Sequence, residues 1–181
     1  AVGYGALGLN TTASNNVAVG TNCLSANTTG SLNVGVGVSN LNANTTGTRN
    51  SAYGHAAMMN NTTANDNTAV GYHSLQQSTT AANNVGIGSF ALATTSTGGQ
   101  NTAVGTSAMV SNTTGNHCVA VGKDSLLTQT TASSNVAVGV SSLKLTTTGS
   151  NNTAIGGSAL LSNTTGGQNT AVGSLALDAN T

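Results

Sequence analysis

A sizeable apolar side chain returns along this chain at two fixed phases, always at an interval of seventeen residues. One series runs Val2, Val19, Val36, Tyr53, Val70, Ile87, Val104, Val121, Val138, Ile155 and Val172. The other lies five residues later: Leu7, Leu24, Leu41, Met58, Leu75, Leu92, Met109, Leu126, Leu143, Leu160 and Leu177. A glycine follows every member of the first series, from Gly3 to Gly173, without an insertion or deletion. That strictness means the repeats stack in register, because an extra residue in any coil would shift its side chains out of every column. No coil offers an uninterrupted window of helix formers, so the elements are strands and turns. The segment typified by Asn101–Gly105 reads as a strand of about five residues, with a second short strand expected around Ala108–Val110. Asn112, Thr113, Thr114 and Gly115 then close the coil as a turn.

The fold class that follows is all-β: a β-solenoid of 17-residue coils, ten full coils plus a partial eleventh, forming a single repeat array over residues 1–181. At about 4.8 Å per coil it would be about 50 Å long. The two apolar series are expected to be its inward-facing spines. The valine spine is represented by Val2, Val19, Val70, Val104, Val121 and Val138, and the leucine spine by Leu7, Leu24, Leu75, Leu126, Leu143 and Leu160.

Small and polar columns refine this picture. An asparagine column from Asn16 to Asn169 is broken only by Cys118, and a threonine column from Thr12 to Thr165 is unbroken. Stacked asparagines can bond amide to amide along an axis, so both columns read as architecture. A further column admits only Ala or Gly, including Ala18, Ala69, Ala103, Ala120, Ala137 and Ala154. It lies next to the valines and therefore points to the opposite face of the strand. A strand apolar on both faces is normally covered on both. With the valines assigned to the interior, the alanines are expected to meet a neighbouring copy, in a homotrimer or other side-by-side assembly; the alternative is that they face inward across a flat, narrow coil of a lone chain, in which case the valines need another apolar wall.

Charge changes the picture mainly by its scarcity. Three basic and three acidic residues, Arg49, Lys123, Lys144, Asp66, Asp124 and Asp178, make no basic patch for nucleic acid. Aromatics are limited to Tyr4, Tyr53, Tyr72 and Phe90, too few on average for a base-stacking or sugar-stacking platform. Proline is absent, as suits a chain invested in ladders. No stretch approaches the roughly 20 apolar residues that span a bilayer, so membrane insertion is not expected. The chain begins and ends inside its consensus, which reads as a segment of a longer array, or as a subunit that stacks end to end into a filament.

Written out, Asn-Thr-Ala-Val-Gly followed by Ala-Leu and Asn-Thr-Thr-Gly resembles the repeats of phage and bacterial tail-fibre-like proteins. Over the strand segment it is also similar to the head repeats of trimeric autotransporter adhesins. The resemblance implies a trimeric fibre or stalk of β-solenoid coils. It places such a chain outside the cell, at a cell surface or on a virion, with a cell-surface receptor or glycan as a further partner.

Candidate chemistry is thin. His55 and His73 sit in neighbouring coils, but two imidazoles without a third ligand make a weak metal site, and His117 lies coils away. Cys23 and Cys118 are more than five coils apart, roughly 25 Å at the coil spacing, beyond the reach of a disulfide. With no glutamate and three scattered aspartates, no paired-carboxylate site can be assembled. No lysine follows the glycines as a phosphate loop requires. Neither a cofactor, a metal nor an enzymatic activity is expected. Asn10, Asn27, Asn44, Asn61, Asn112 and Asn163 begin Asn-x-Thr sequons, which would line one edge with glycans in a glycosylating host. The functional reading is a structural fibre or adhesin shaft. The alternative is an ice-binding solenoid using threonine ranks, weakened because adjacent threonines in an extended strand point to opposite faces.

Overall fold

The computed structural model describes residues 1–180 and is an all-β parallel solenoid with seventeen residues per coil. Each coil after the first gives one three-residue strand: β1 (Val17–Val19), β2 (Val34–Val36), β3 (Ser51–Tyr53), β4 (Thr68–Val70) and β5 (Val85–Ile87), then β6 (Thr102–Val104), β7 (Val119–Val121), β8 (Val136–Val138), β9 (Thr153–Ile155) and β10 (Thr170–Val172). They form one parallel sheet in sequential order, in which each residue pairs with its equivalent seventeen positions on. Val2 adds a bridge to Val19 at the first coil. Among the described residues there is no helix.

The valine spine is not in the core. In nine of the ten strands the middle residue alone is fully enclosed, and the outer residues face solvent wholly or in part; Ala171 of the last strand is 3% exposed. Val2, Val19, Val70 and Val121 are exposed, and Val104 and Val138 are half-buried. The alanines expected at a subunit boundary, Ala18, Ala69, Ala103, Ala120, Ala137 and Ala154, are instead 0% exposed inside the chain's own coil. Leu24, Leu75, Leu126, Leu143 and Leu160 are fully enclosed, and Leu7 packs partly buried against the same core.

The reason is width. Leucine from one wall reaches across the lumen and leaves room for only a Cβ on the strand wall opposite, so the small residue is the buried one. Size restriction in the alanine column thus records intrachain packing. Its two glycines show this directly. A Cβ added at Gly35 would overlap Cys23 Sγ, and one at Gly86 would stand 2.7 Å from Ser74 Oγ. Elsewhere the column keeps its Cβ, both opposite alanines, as Ala69 and Ala103 are (Ala57 and Ala91), and opposite larger residues, as Ala52, Ala137 and Ala154 are (Asn40, Ser125 and Ser142).

The second strand expected at Ala108–Val110 is absent. Left-handed backbone at Ser107 (φ 57°) and Met109 (φ 52°) turns the segment tightly instead. Ala108, Val110 and Asn112 donate to the carbonyls of Gly105, Ser107 and Met109 at 3.2–3.3 Å. Ladder bonds continue between these turns, as from Leu126 N–H to Ser142 O at 3.0 Å. The whole leucine/methionine series is left-handed, from Leu7 (φ 52°) to Leu177 (φ 51°), at a cost of about 1–2 kcal/mol per residue for an L side chain. Burial holds the enclosed members, Leu24 to Leu160, there, because the left-handed turn aims the side chain into the lumen. Gly105 and its equivalents are obligatory for a different reason: at φ 137° a Cβ would lie 2.6 Å from Gly122 O in the next coil.

The complementarity across the lumen can be tested by a double-mutant cycle. Gly35→Ala should destabilise by about 1–3 kcal/mol through overpacking, and Cys23→Ala should abolish most of that cost by restoring an alanine–alanine pair. Denaturant titrations of the four proteins measure the coupling; additive effects would show that the two side chains do not compete for space.

Candidate functional site

The most organised chemistry in the molecule is a pair of buried amide ladders. In the first, each asparagine at the strand entrance accepts, through Oδ1, the backbone N–H of its equivalent in the next coil: Asn50 N–H to Asn33 Oδ1 at 3.0 Å, Asn84 to Asn67 at 2.8 Å, Asn101 to Asn84 at 2.9 Å. The same side chain donates Nδ2–H across its coil to a turn carbonyl, Asn33 to Gly47 at 2.7 Å and Asn101 to Gly115 at 2.8 Å. Both polar atoms of a buried amide are therefore satisfied, which lets it stay inside a thin core.

The second ladder begins the Asn-Thr-Thr turns. Asn44 donates Nδ2–H to Asn27 Oδ1 at 2.7 Å and to Gly47 O at 3.1 Å, so the Gly47 carbonyl receives an asparagine from each ladder. Gly115 O is shared in the same way by Asn101 and Asn112. Five of the sequon asparagines, Asn27, Asn44, Asn61, Asn112 and Asn163, are consequently 0% exposed, and only Asn10 is partly open. In the folded chain these five amides point inward and cannot present glycans along an edge. The sequon expectation missed this because the motif does not tell a turn that displays its asparagine from one that swallows it.

Where one ladder changes, the other compensates. Cys118 replaces an asparagine, and in the adjoining column Gln129 replaces one too, one methylene longer. Gln129 donates to Asn112 Oδ1 and lies 3.3 Å from Cys118 Sγ, while its Oε1 accepts Asn135 Nδ2–H at 2.8 Å. Burial raises the Cys118 thiol pKa and pushes that of Cys23 up to about 11, so both stay protonated and inert at neutral pH. Both cysteines are free.

The two threonines of each turn differ. The first donates its hydroxyl to a main-chain carbonyl of the next coil, Thr28 to Thr45 O at 3.0 Å and Thr113 to Thr130 O at 3.1 Å. The second, the series Thr12 to Thr165, is exposed in every coil. A single free threonine rank therefore remains on this edge. On the strand side the outward surface carries two ranks, the valine series and a Val/Thr/Ser series two residues earlier, whose size restriction was visible in the consensus but not read as a face.

His55 and His73 do meet, with ring centroids 5.6 Å apart and an interplanar angle of 28°. Tyr72 and Phe90 join them, at 5.4 Å from His55 and 5.5 Å from His73 respectively. Tyr72 is tilted 52° to His73 and meets Phe90 edge-on at 81°, so the four rings pack on one another between coils. Among the described residues no group of three metal-ligating side chains comes together. Arg49 forms a two-pronged ion pair with Asp66 at 2.6 and 2.7 Å, and this pairing holds the Asp66 carboxyl below its ordinary pKa. Asp124 lies between Lys144 at 3.8 Å and Lys123 at 4.0 Å. No helix of the described residues is long and apolar enough to cross a membrane.

Comparison with known proteins finds no matching family model, no matching curated protein and no matching solved structure.

One interruption of the second ladder leaves a measurable defect. Asn61 Oδ1 is buried without a partner because Ser78 stands where the next asparagine would donate. Ser78→Asn combined with Thr95→Asn should carry the ladder on to Asn112 and raise stability by about 1 kcal/mol, the usual effect of satisfying a buried acceptor. Chemical denaturation compares the variant with the parent chain; an unchanged or lowered midpoint would show that the ladder is not a stabilising element.

Proposed function

We propose that this chain is the shaft of an extracellular fibre or adhesin, at a cell surface or on a virion, and that its work is mechanical: to hold a straight rod of defined length. The observation that carries this reading is the strand-entrance amide ladder, which links coil to coil from Asn16 to Cys118 and again from Asn135 to Asn169. It builds the same cross-section again and again and spends the chain's polar chemistry on holding adjacent coils together. A β-solenoid suits that task because its length grows by one coil spacing per repeat while every coil touches only its neighbours. Catalysis has no comparable support, since the buried polar side chains, Asn61 Oδ1 and Ser142 Oγ apart, are committed to hydrogen bonds within the solenoid. Copies of the same chain are the first partners of such a shaft, as a homotrimer or an end-to-end filament. Receptor or glycan contact falls to variable outward residues.

Ice binding has less to rest on, because the hydroxyls of the first threonine rank are engaged by the next coil and only the second rank is free on that edge.

The rod reading makes a quantitative prediction. Joining residues 1–170 in phase to a second copy of residues 1–181 should double the length measured by small-angle scattering, from about 50 Å to about 100 Å at 4.8 Å per coil. One extra residue at the junction should break the rod into two bodies. A flexible particle, or no thermal difference between the two junctions, would exclude a rigid shaft. Thermal hysteresis of the parent protein should be nil.

A further inference from the structure

We infer that the outward face of the ten-stranded sheet is the seat of a second copy of this chain, packed sheet face to sheet face. The inference rests on the shaft reading and deepens it by naming the contact surface. With the alanine column enclosed, the unpartnered apolar surface is the one formed by the strand residues on either side of it. Each strand presents outward its first and third residues, as Thr102 and Val104 do in β6. Every outward strand position is Val, Ile or Thr except Ser51 and Tyr53. Val19 and Ile87 are each 39% exposed.

Three properties select a second copy as occupant. None of the six charged residues lies in a strand, so two such faces can approach without stranding a charge. The size is right: ten strands at about 4.8 Å and three residues at about 3.3 Å give a face of roughly 48 by 10 Å. That is about 500 Å² a side, so two copies would bury about 1,000 Å² in all, the least that a specific protein–protein contact clears. The period is decisive. Branched side chains repeat along the axis in ribs one coil apart, and only a partner ribbed at the same interval can fill every furrow. A second copy has that interval by construction, whereas an aperiodic protein would meet a few ribs and miss the rest. A strand apolar on both faces is then covered on both, its alanine by leucine of the same coil and its valines by the neighbour.

The test uses the full chain. Sedimentation equilibrium at tens of micromolar should give a multiple of the 17.4 kDa chain mass. Val70→Asp and Val121→Asp, both outward, should keep the parent circular dichroism and raise the dissociation constant at least tenfold. Val104→Cys, which keeps the face apolar, should form a disulfide between copies under mild oxidation. Thr131→Cys, on the exposed turn, should not, and the buried Cys23 and Cys118 should stay silent. A monomeric parent chain at that concentration, or equal crosslinking of Val104→Cys and Thr131→Cys, would overturn the assignment. So would thermal hysteresis from a monomer whose loss tracks the valine substitutions, which would give the face to ice. A monomer that still scatters as a 50 Å rod, at about 4.8 Å per coil, would defeat this contact and leave the shaft reading standing.

Discussion

A lumen only one leucine deep governs this molecule. Because leucine or methionine from the turn wall spans it, the strand wall offers nothing larger than alanine, and only a hydrogen at Gly35 and Gly86, where a Cβ would crowd Cys23 Sγ and Ser74 Oγ. The same narrowness brings the two asparagine ladders close enough to share a carbonyl, and it makes each coil depend on those above and below for most of its hydrogen bonds. A core this thin buries little apolar surface per residue, so hydrogen bonds between coils carry an unusually large share of the structure's specificity.

That dependence explains why the period never slips. An inserted residue would move an asparagine out from under the N–H of its successor, leave two buried polar atoms unpaired, and push a branched side chain into space sized for a methyl group. Substitutions are tolerated where a neighbour absorbs them, as Gln129 does beside Cys118 and Gly35 does beside Cys23. Where no neighbour does, the defect stays visible, as at the orphaned Asn61 Oδ1.

The surface follows from the interior. Side chains alternate along a strand, so enclosing the alanine obliges both its neighbours to face out, and in a parallel stack those neighbours line up as uncharged, ribbed ranks. The rod repeats one cross-section and carries an uncharged face on its sheet side, and it is through that face that we propose it meets its own kind. The charged residues sit at turns and mostly pair with charges in adjacent coils, so they decorate the rod without giving it a long-range field.

The seventeen-residue period, the all-β solenoid, the in-register stack and the leucine column were all legible in the sequence, because translational symmetry forces every architectural position to repeat its residue type. The asparagine column was legible as a ladder for the same reason. Which side of the strand faces in was not. Val104 and Ala103 alternate identically whether the interior is broad or narrow; only the lumen's width, set by leucine reaching across from the opposite wall, decides for alanine. The missing second strand, the inward turn of Asn112 and the meeting of Gln129 with Cys118 likewise depended on left-handed backbone at residues such as Met109 and on contacts between columns. A repeat identifies which positions are equivalent, but their distances across the coil exist only once the chain has closed on itself.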